Sequence, residues 1–386
     1  MTWLIITGVL GRLFFLNRFD LVEYGMTSPL IIRAPDDWHC HLRDGVMLAR
    51  TVSDQARYFS RSMVMPNLVS PVVSVQLAEA YYQRILQHIP LGSCWQPCMT
   101  LYMTETLTEA MIQQAKASEQ VLAIKLYPAG ATTLSDAGVS NPNNIYRQLA
   151  AMEAVDLPLL VHGEVVDHGC DIFDREARFI DQYLQPITQR FPQLRIVLEH
   201  ITTSAAVQFV REASKNVAAT ITPQHLLFNR NDLLVGGLKP HYYCLPILKR
   251  SQDQEALIAA AISNDPSFFL GTDSAPHVKS AKQSACGCAG IYSAHAALEF
   301  YATVFEEHHA LDRLEGFASI FGANFYQLPL NAHKVCLTKQ AWPVPEELSF
   351  GEETVVPLLA GQNIAWQVRP VAATSINDHI TSQEKV

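Results

Sequence analysis

The chain has 386 residues, 49% of them hydrophobic and 17% charged, with a formal net charge of −9. That is apolar enough for a large core and too weakly charged for disorder. No block of five or more Lys and Arg occurs, which excludes nucleic acid and an anionic membrane surface as partners.

At the N-terminus an apolar stretch, residues 3–16, is interrupted by Arg12 and is shorter than the ~20 residues of a spanning helix. No basic residue precedes it and no Ala-x-Ala site follows, which argues against a secretory leader. Residues 1–25 are read as a poorly ordered extension, and residues 26–386 as a single domain with a C-terminal tail. Short apolar runs then recur at 30–33, 62–66, 97–102, 121–127, 157–162, 194–199, 217–222 and 267–271. Most are continuous rather than alternating, as strands buried on both faces should be. Amphipathic segments at 74–88, 104–118, 173–190 and 251–263 separate them, with Thr104 and Ser251 as N-cap candidates and Pro142 suited to a first helical turn. Repeated strand–helix units predict an α/β fold, a (β/α)8 TIM barrel. An open doubly wound sheet is the runner-up, without a Gly-rich phosphate loop to support it. The tail from Pro329 is expected to lie across the barrel surface. Eight cysteines are scattered, and the closest pairs, Cys94 with Cys98 and Cys286 with Cys288, lack CxxC spacing. Free thiols in a reducing cytoplasm are the expectation.

Barrel active sites lie at the C-terminal ends of the strands. Near those ends stand His39 and His41, Lys125 inside an apolar run, His162, Glu199-His200, and Asp273. On a strand, residues i and i+2 point the same way, so His39 and His41 can converge on one ion. Any one of these residues has a bland reading: a hydrogen-bonded histidine, a misplaced lysine, a helix-capping aspartate. Together, four histidines, a lysine and an aspartate at one end of five strands point to metal binding, because burying so many ionisable groups without a shared partner is costly.

The motifs Asp37-Trp38-His39-Cys40-His41-Leu42-Arg43, Met65-Pro66-Asn67, Ile124-Lys125-Leu126-Tyr127-Pro128, His162-Gly163-Glu164, Asp171-Ile172-Phe173-Asp174-Arg175-Glu176 and Gly271-Thr272-Asp273-Ser274-Ala275-Pro276-His277 resemble those of the amidohydrolase superfamily. Within it they are most similar to the shorter, bacterial-type dihydroorotases, from about Pro29 to Leu330. The N-terminal extension has no counterpart in that pattern.

The resemblance implies two zinc ions per subunit, one held by His39, His41 and Asp273, the other by His162 and His200. Carbamylated Lys125 would bridge them, since a charged ammonium has no lone pair to offer. It implies a metal-bridging hydroxide that attacks a ring amide, with Asp273 as general base and then acid. The reaction would be reversible hydrolysis of dihydroorotate to N-carbamoyl-aspartate, whose reverse serves pyrimidine biosynthesis. Arg43, Asn67 and His277 would bind the substrate carboxylate, and the backbone near Leu245 and Ala289 the ring amide edges. From the residues themselves, the loop over 128–142, with Gly130 and Gly138 flanking Thr132 and Thr133, is expected to be a mobile lid whose threonines donate hydrogen bonds to a bound anionic substrate. The family expectation is a cytoplasmic homodimer.

Two rival functions remain at this point. Hydantoinases, dihydropyrimidinases and allantoinases share the metal set, but have no need of a carboxylate-binding Arg43. They also carry a β-sandwich built from both termini, for which neither end here leaves enough sequence. A non-catalytic barrel scaffold should have lost ligands, and all six are present.

Overall fold

The computed structural model describes residues 28–371, so the expectations for residues 1–25 lie outside the described residues. Strand β1 (Leu30–Arg33) precedes β2 (Asp36–Cys40), β3 (Arg61–Val64), β4 (Gln96–Tyr102), β5 (Val121–Leu126), β6 (Leu159–Val161), β7 (Ile196–Leu198), β8 (Val217–Ile221) and β9 (Phe268–Leu270). Strands β2 to β9 pair in parallel, in sequence order, as one eight-stranded sheet. Helices such as Val75–Leu86, Glu109–Ala117, Ser204–Glu212 and Ala297–Glu307 lie between and around them, completing the expected (β/α)8 barrel.

The first barrel strand is not the run at 30–33. It is β2, whose sequence Asp-Asp-Trp-His-Cys is too polar to read as a buried strand, although all five residues are buried. Two caps also differ. Thr108 rather than Thr104 accepts from Met111 N–H, and Arg250 rather than Ser251 occupies the cap of Ser251–Ala261.

Strand alternation explains how the interior is layered. Trp38, Met63, Cys98, Ala123, Leu160, Val197, Ala218 and Phe269, one from each barrel strand, pack together inside with Ala323 and Tyr326. Two residues further along, on the same faces, come Thr100, Lys125, His162, Glu199, Thr220 and Gly271. The polar layer therefore sits one side-chain step above an apolar plug. Below, Trp38 stacks on Tyr326 at 4.5 Å. A Cβ on Gly322 would lie 2.0 Å from Trp38 Nε1. Gly322→Ala is expected to lower stability by about 1–3 kcal/mol through overpacking, read as a depressed Tm.

The ring closes between β2 and the chain just after β9. Asp273 N–H donates to His39 O at 2.9 Å, and His41 N–H to Ser274 O at 3.0 Å. Buried Asp37 reinforces this seam, accepting from Thr272 N–H at 2.8 Å, Thr272 Oγ1 at 2.7 Å and Gln55 Nε2 at 2.8 Å.

The C-terminal tail is more regular than expected. β10 (Lys334–Pro343) lies between β1 and β13 (Asn363–Pro370) and pairs antiparallel with both, and β11 (Leu348–Phe350) and β12 (Glu353–Val355) form a small antiparallel pair. Both ends of the described chain thus do build a sheet together, though a three-stranded one. Its signal was the alternation that buries Val335 and Leu337, and Ile364, Trp366 and Val368. No helix among the described residues is long and apolar enough to cross a membrane.

Candidate active site

His39, His41 and Asp273 offer ligand atoms that all lie within 4.8 Å of one another, and all three residues are buried. His39 Nε2 is 3.3 Å from His41 Nε2 and 3.3 Å from Asp273 Oδ1, while His41 Nε2 is 3.1 Å from the same oxygen. The other side of the His39 ring is committed, because Nδ1 hydrogen-bonds the Glu199 carboxylate. That contact fixes which nitrogen faces the centre, as carboxylates do behind metal-bound histidines. Thr220 supports Glu199 from behind, donating to Oε2 at 3.2 Å while accepting from His200 N–H at 2.7 Å.

His200 packs edge-on against His39 at 4.9 Å between centroids and against His162 at 4.8 Å. His162 Nε2 is 2.9 Å from Glu164 Oε2, the second carboxylate behind an imidazole. Lys125 is fully buried and its Nζ has no hydrogen-bond partner; neither has His200 Nδ1. Burial pushes the Lys125 pKa down to about 8, against the pull of Glu199 and Asp273. Asp273 behaves oppositely: burial opposes its charge, but hydrogen bonds from His39 and His41 hold it well below the usual carboxylate range.

Imidazole nitrogens that face one another, a buried carboxylate and an orphaned amine are a poor apolar core and a good donor set for divalent metal. His200 and Asp273 also hold positive φ, 42° and 45°, an uncommon conformation for non-glycine residues. Gly271 makes room for the cluster, since a Cβ there would meet Thr220 Cβ at 2.7 Å and His39 Cβ at 3.2 Å.

A cleft opens above this floor. Arg43, Asn67, Thr132, Thr133, Leu245 and Ala289 line it together with His41, His162, His200, Tyr127 and Asp273. His39 and Lys125 are not among its lining residues. Arg43 donates through Nε to Pro276 O at 2.9 Å, and its Nη2 is 3.0 Å from His277 Nε2. His277 does not line the cleft either; it stands behind Arg43. Burial and the guanidinium drive its pKa down to about 2, so the ring is neutral. Thr133 spans the opening, its carbonyl accepting from Asn67 Nδ2 at 3.1 Å and its hydroxyl donating to Ala289 O at 3.3 Å. A larger apolar cavity of about 500 Å³ lies beyond Arg43 and His277 and contains none of the candidate metal ligands.

The structure thus gathers the sequence candidates at one end of the barrel. Glu199, Glu164 and Thr220, which orient them, had been assigned no role. The two carboxylates had one legible signal, a charge at the end of an apolar run.

Residues 30–348 match the family model described as the amidohydrolase family. The chain belongs to that family of metal-dependent hydrolases. Its similarity is specific: a dihydroorotase of Coxiella burnetii is 60% identical over 335 residues, 87% of this chain and 96% of that protein. The crystal structure of dihydroorotase in complex with 5-fluoroorotic acid from Saccharomyces cerevisiae has a TM-score of 0.82 at 32% identity, covering 89% of this chain and 99% of that one. The chain therefore falls with the dihydroorotases inside the larger family. An L-hydantoinase from Arthrobacter aurescens has a TM-score of 0.73 at 13% identity, a likeness of fold alone.

Proposed function

We propose that this chain hydrolyses dihydroorotate reversibly to N-carbamoyl-aspartate. The observation that carries the substrate is Arg43. Arg43 lines the cleft beside the His–Asp cluster; its guanidinium is held by a carbonyl and a neutral imidazole and makes no ion pair among the described residues. A cation placed in this way is matched by a substrate carboxylate. Dihydroorotate has one beside its cyclic amide; dihydrouracil, hydantoin and allantoin do not.

His39, His41 and Asp273 would hold one metal, His162 and His200 a second, and Lys125, carbamylated, would join them. Zinc suits imidazole and carboxylate-type donors. Bound there, two divalent ions would polarise the ring carbonyl and acidify a water between them. Lys125 supports carbamylation because burial favours its neutral amine, the form that takes up CO2. Asp273, ionised in the cleft, accepts a proton from the attacking water as the C–O bond forms. It then delivers that proton to the ring nitrogen as the C–N bond breaks. Arg43 anchors the carboxylate with Asn67, and the Leu245 and Ala289 backbones bear on the amide edges. Substrate entry must part the Thr133 bonds to Asn67 and Ala289, which gives residues 128–142 a lid's work. A homodimer is part of the same reading, resting on the resemblance. So is a cytoplasmic setting, with which the free cysteines agree.

Turnover of dihydroorotate by the zinc-loaded chain, with dihydrouracil and allantoin in parallel, tests the proposal. Hydrolysis of dihydroorotate alone is expected, and activity confined to an uncharged ring would overturn the substrate. Arg43→Ala should raise KM for dihydroorotate about 10²-fold, the cost of losing a charged hydrogen-bonding partner. It should leave the metal content as it was; an unchanged KM would remove the carboxylate role.

A further inference from the structure

One wall of the cleft is pinned from behind by a single ammonium. Lys282 ends the short helix Lys279–Lys282 and is 4% exposed. Its Nζ donates to the carbonyls of Tyr243 at 2.7 Å, Cys288 at 3.0 Å and Gly290 at 2.7 Å. Three protons meet three acceptors, so the ammonium is saturated. The Tyr243 carbonyl also accepts from Gly290 N–H at 3.0 Å, which joins two distant chain segments at one point. Among the described residues no carboxylate pairs with Lys282; the sulfurs of Cys244 and Cys288 are the groups that favour its charge. Burying an ammonium on carbonyl dipoles alone is expensive, and core packing gives no reason for it.

What the ammonium achieves lies on the other side of the backbone. The carbonyls of Cys288 and Gly290 are drawn back to Lys282, while the Ala289 carbonyl between them is met instead by Thr133 Oγ1 at 3.3 Å. Gly290 lets this segment lie flush, since a Cβ there would be 2.4 Å from Ala275 O. Leu245 follows two residues after the pinned Tyr243 carbonyl, and Leu245, Ala289 and Gly290 all line the cleft.

We propose that Lys282 is a positioning residue for the substrate ring, holding the Leu245 and Ala289 backbones at the spacing that reads the amide edge of a six-membered cyclic ureide. This rests on the function proposed above. Around the ammonium stand the Tyr243 ring, its centroid 5.8 Å away, the Cys244 and Cys288 thiols, and the imidazoles of His241 and His277. Burial pushes the Lys282 pKa down to about 8. Above that pH the amine retains two protons for three carbonyls, and the wall loosens.

The test compares metal-loaded wild type with Lys282→Met and Lys282→Arg. Calorimetry measures binding of 5-fluoroorotate, which has ring and carboxylate, and of succinate, which has carboxylates without a ring. Kinetics on dihydroorotate separate KM from kcat. Lys282→Met should weaken 5-fluoroorotate about tenfold and raise KM by a similar factor, the scale of one mis-set buried hydrogen bond. Succinate affinity and kcat should hold within about twofold. Lys282→Arg should recover part of the loss, because its fork can serve two of the carbonyls. Equal losses for both ligands would mean that Lys282 acts through its field alone, and would overturn the proposal. So would a loss confined to kcat, or no loss. Should both variants fail to fold, wild type decides: the KM for dihydroorotate, whose saturated ring keeps its N–H protonated, should rise relative to the succinate inhibition constant above pH about 8, and a constant ratio overturns the proposal. Failure of the underlying function is distinguishable, since wild type itself would then leave dihydroorotate intact.

Discussion

Asp273→Asn is expected to lower kcat by about 10³- to 10⁴-fold in a chain that still folds, the range of losing a positioned general base from a metal centre. Asparagine is the substitution that isolates the charge. Position 273 has φ 45°, a conformation that asparagine tolerates better than alanine would. Its backbone N–H can still donate to His39 O, so the barrel seam is kept. What disappears is the anionic oxygen, 3.1 Å from His41 Nε2 and 3.3 Å from His39 Nε2, that would take and return the proton. Circular dichroism and metal analysis should accompany the kinetics. Turnover within about tenfold of wild type, with metal still bound, would remove Asp273 from the proton path.

Lys125→Met is expected to abolish measurable turnover and to lower bound metal from about two ions per chain to one or none. The same change should not destabilise the metal-free fold. Methionine matches the lysine stem in length, and it replaces a fully buried amine that has no hydrogen-bond partner. A lysine kept for structure would give the opposite pattern, a lower Tm with metal retained. Intact-mass spectrometry adds an independent reading. Wild type should show a mass increase of one CO2 under gentle conditions, and the variant none. Retention of both ions and of activity in Lys125→Met would end the bridging role.

Much of the site could be read before the fold, for a physical reason. Strands buried on both faces are nearly pure hydrocarbon, so Lys125 and His162 stand out inside or at the end of such runs. The same contrast hid β2. Asp36, Asp37 and His39 are buried there only because Arg61, Thr272, Gln55 and Glu199 satisfy them, and those partners are distant in sequence. The orienting carboxylates share this property, since Glu199 matters through His39, 160 residues away. Gly322 is a further case: nothing in its neighbours signals that Trp38 fills the space where its side chain would be. The terminal sheet, by contrast, carries a legible signal in the alternation of β10 and β13, which buries Val335 and Leu337, and Ile364, Trp366 and Val368.

The seam between β2 and Ser274 gives metal loading a mechanical meaning. Two of the bonds that complete the ring belong to His39, His41 and Asp273, the same residues that form the donor cluster. Circumference and reactivity are then coupled through one equilibrium: ions that bind the folded ring alone stabilise it against opening by an amount that grows with the logarithm of free metal. A chelator would act on this protein first as a solvent of its architecture. Amides at the seam would exchange with water before those of the opposite strands, and heat resistance would keep rising with free metal after the rate has levelled off.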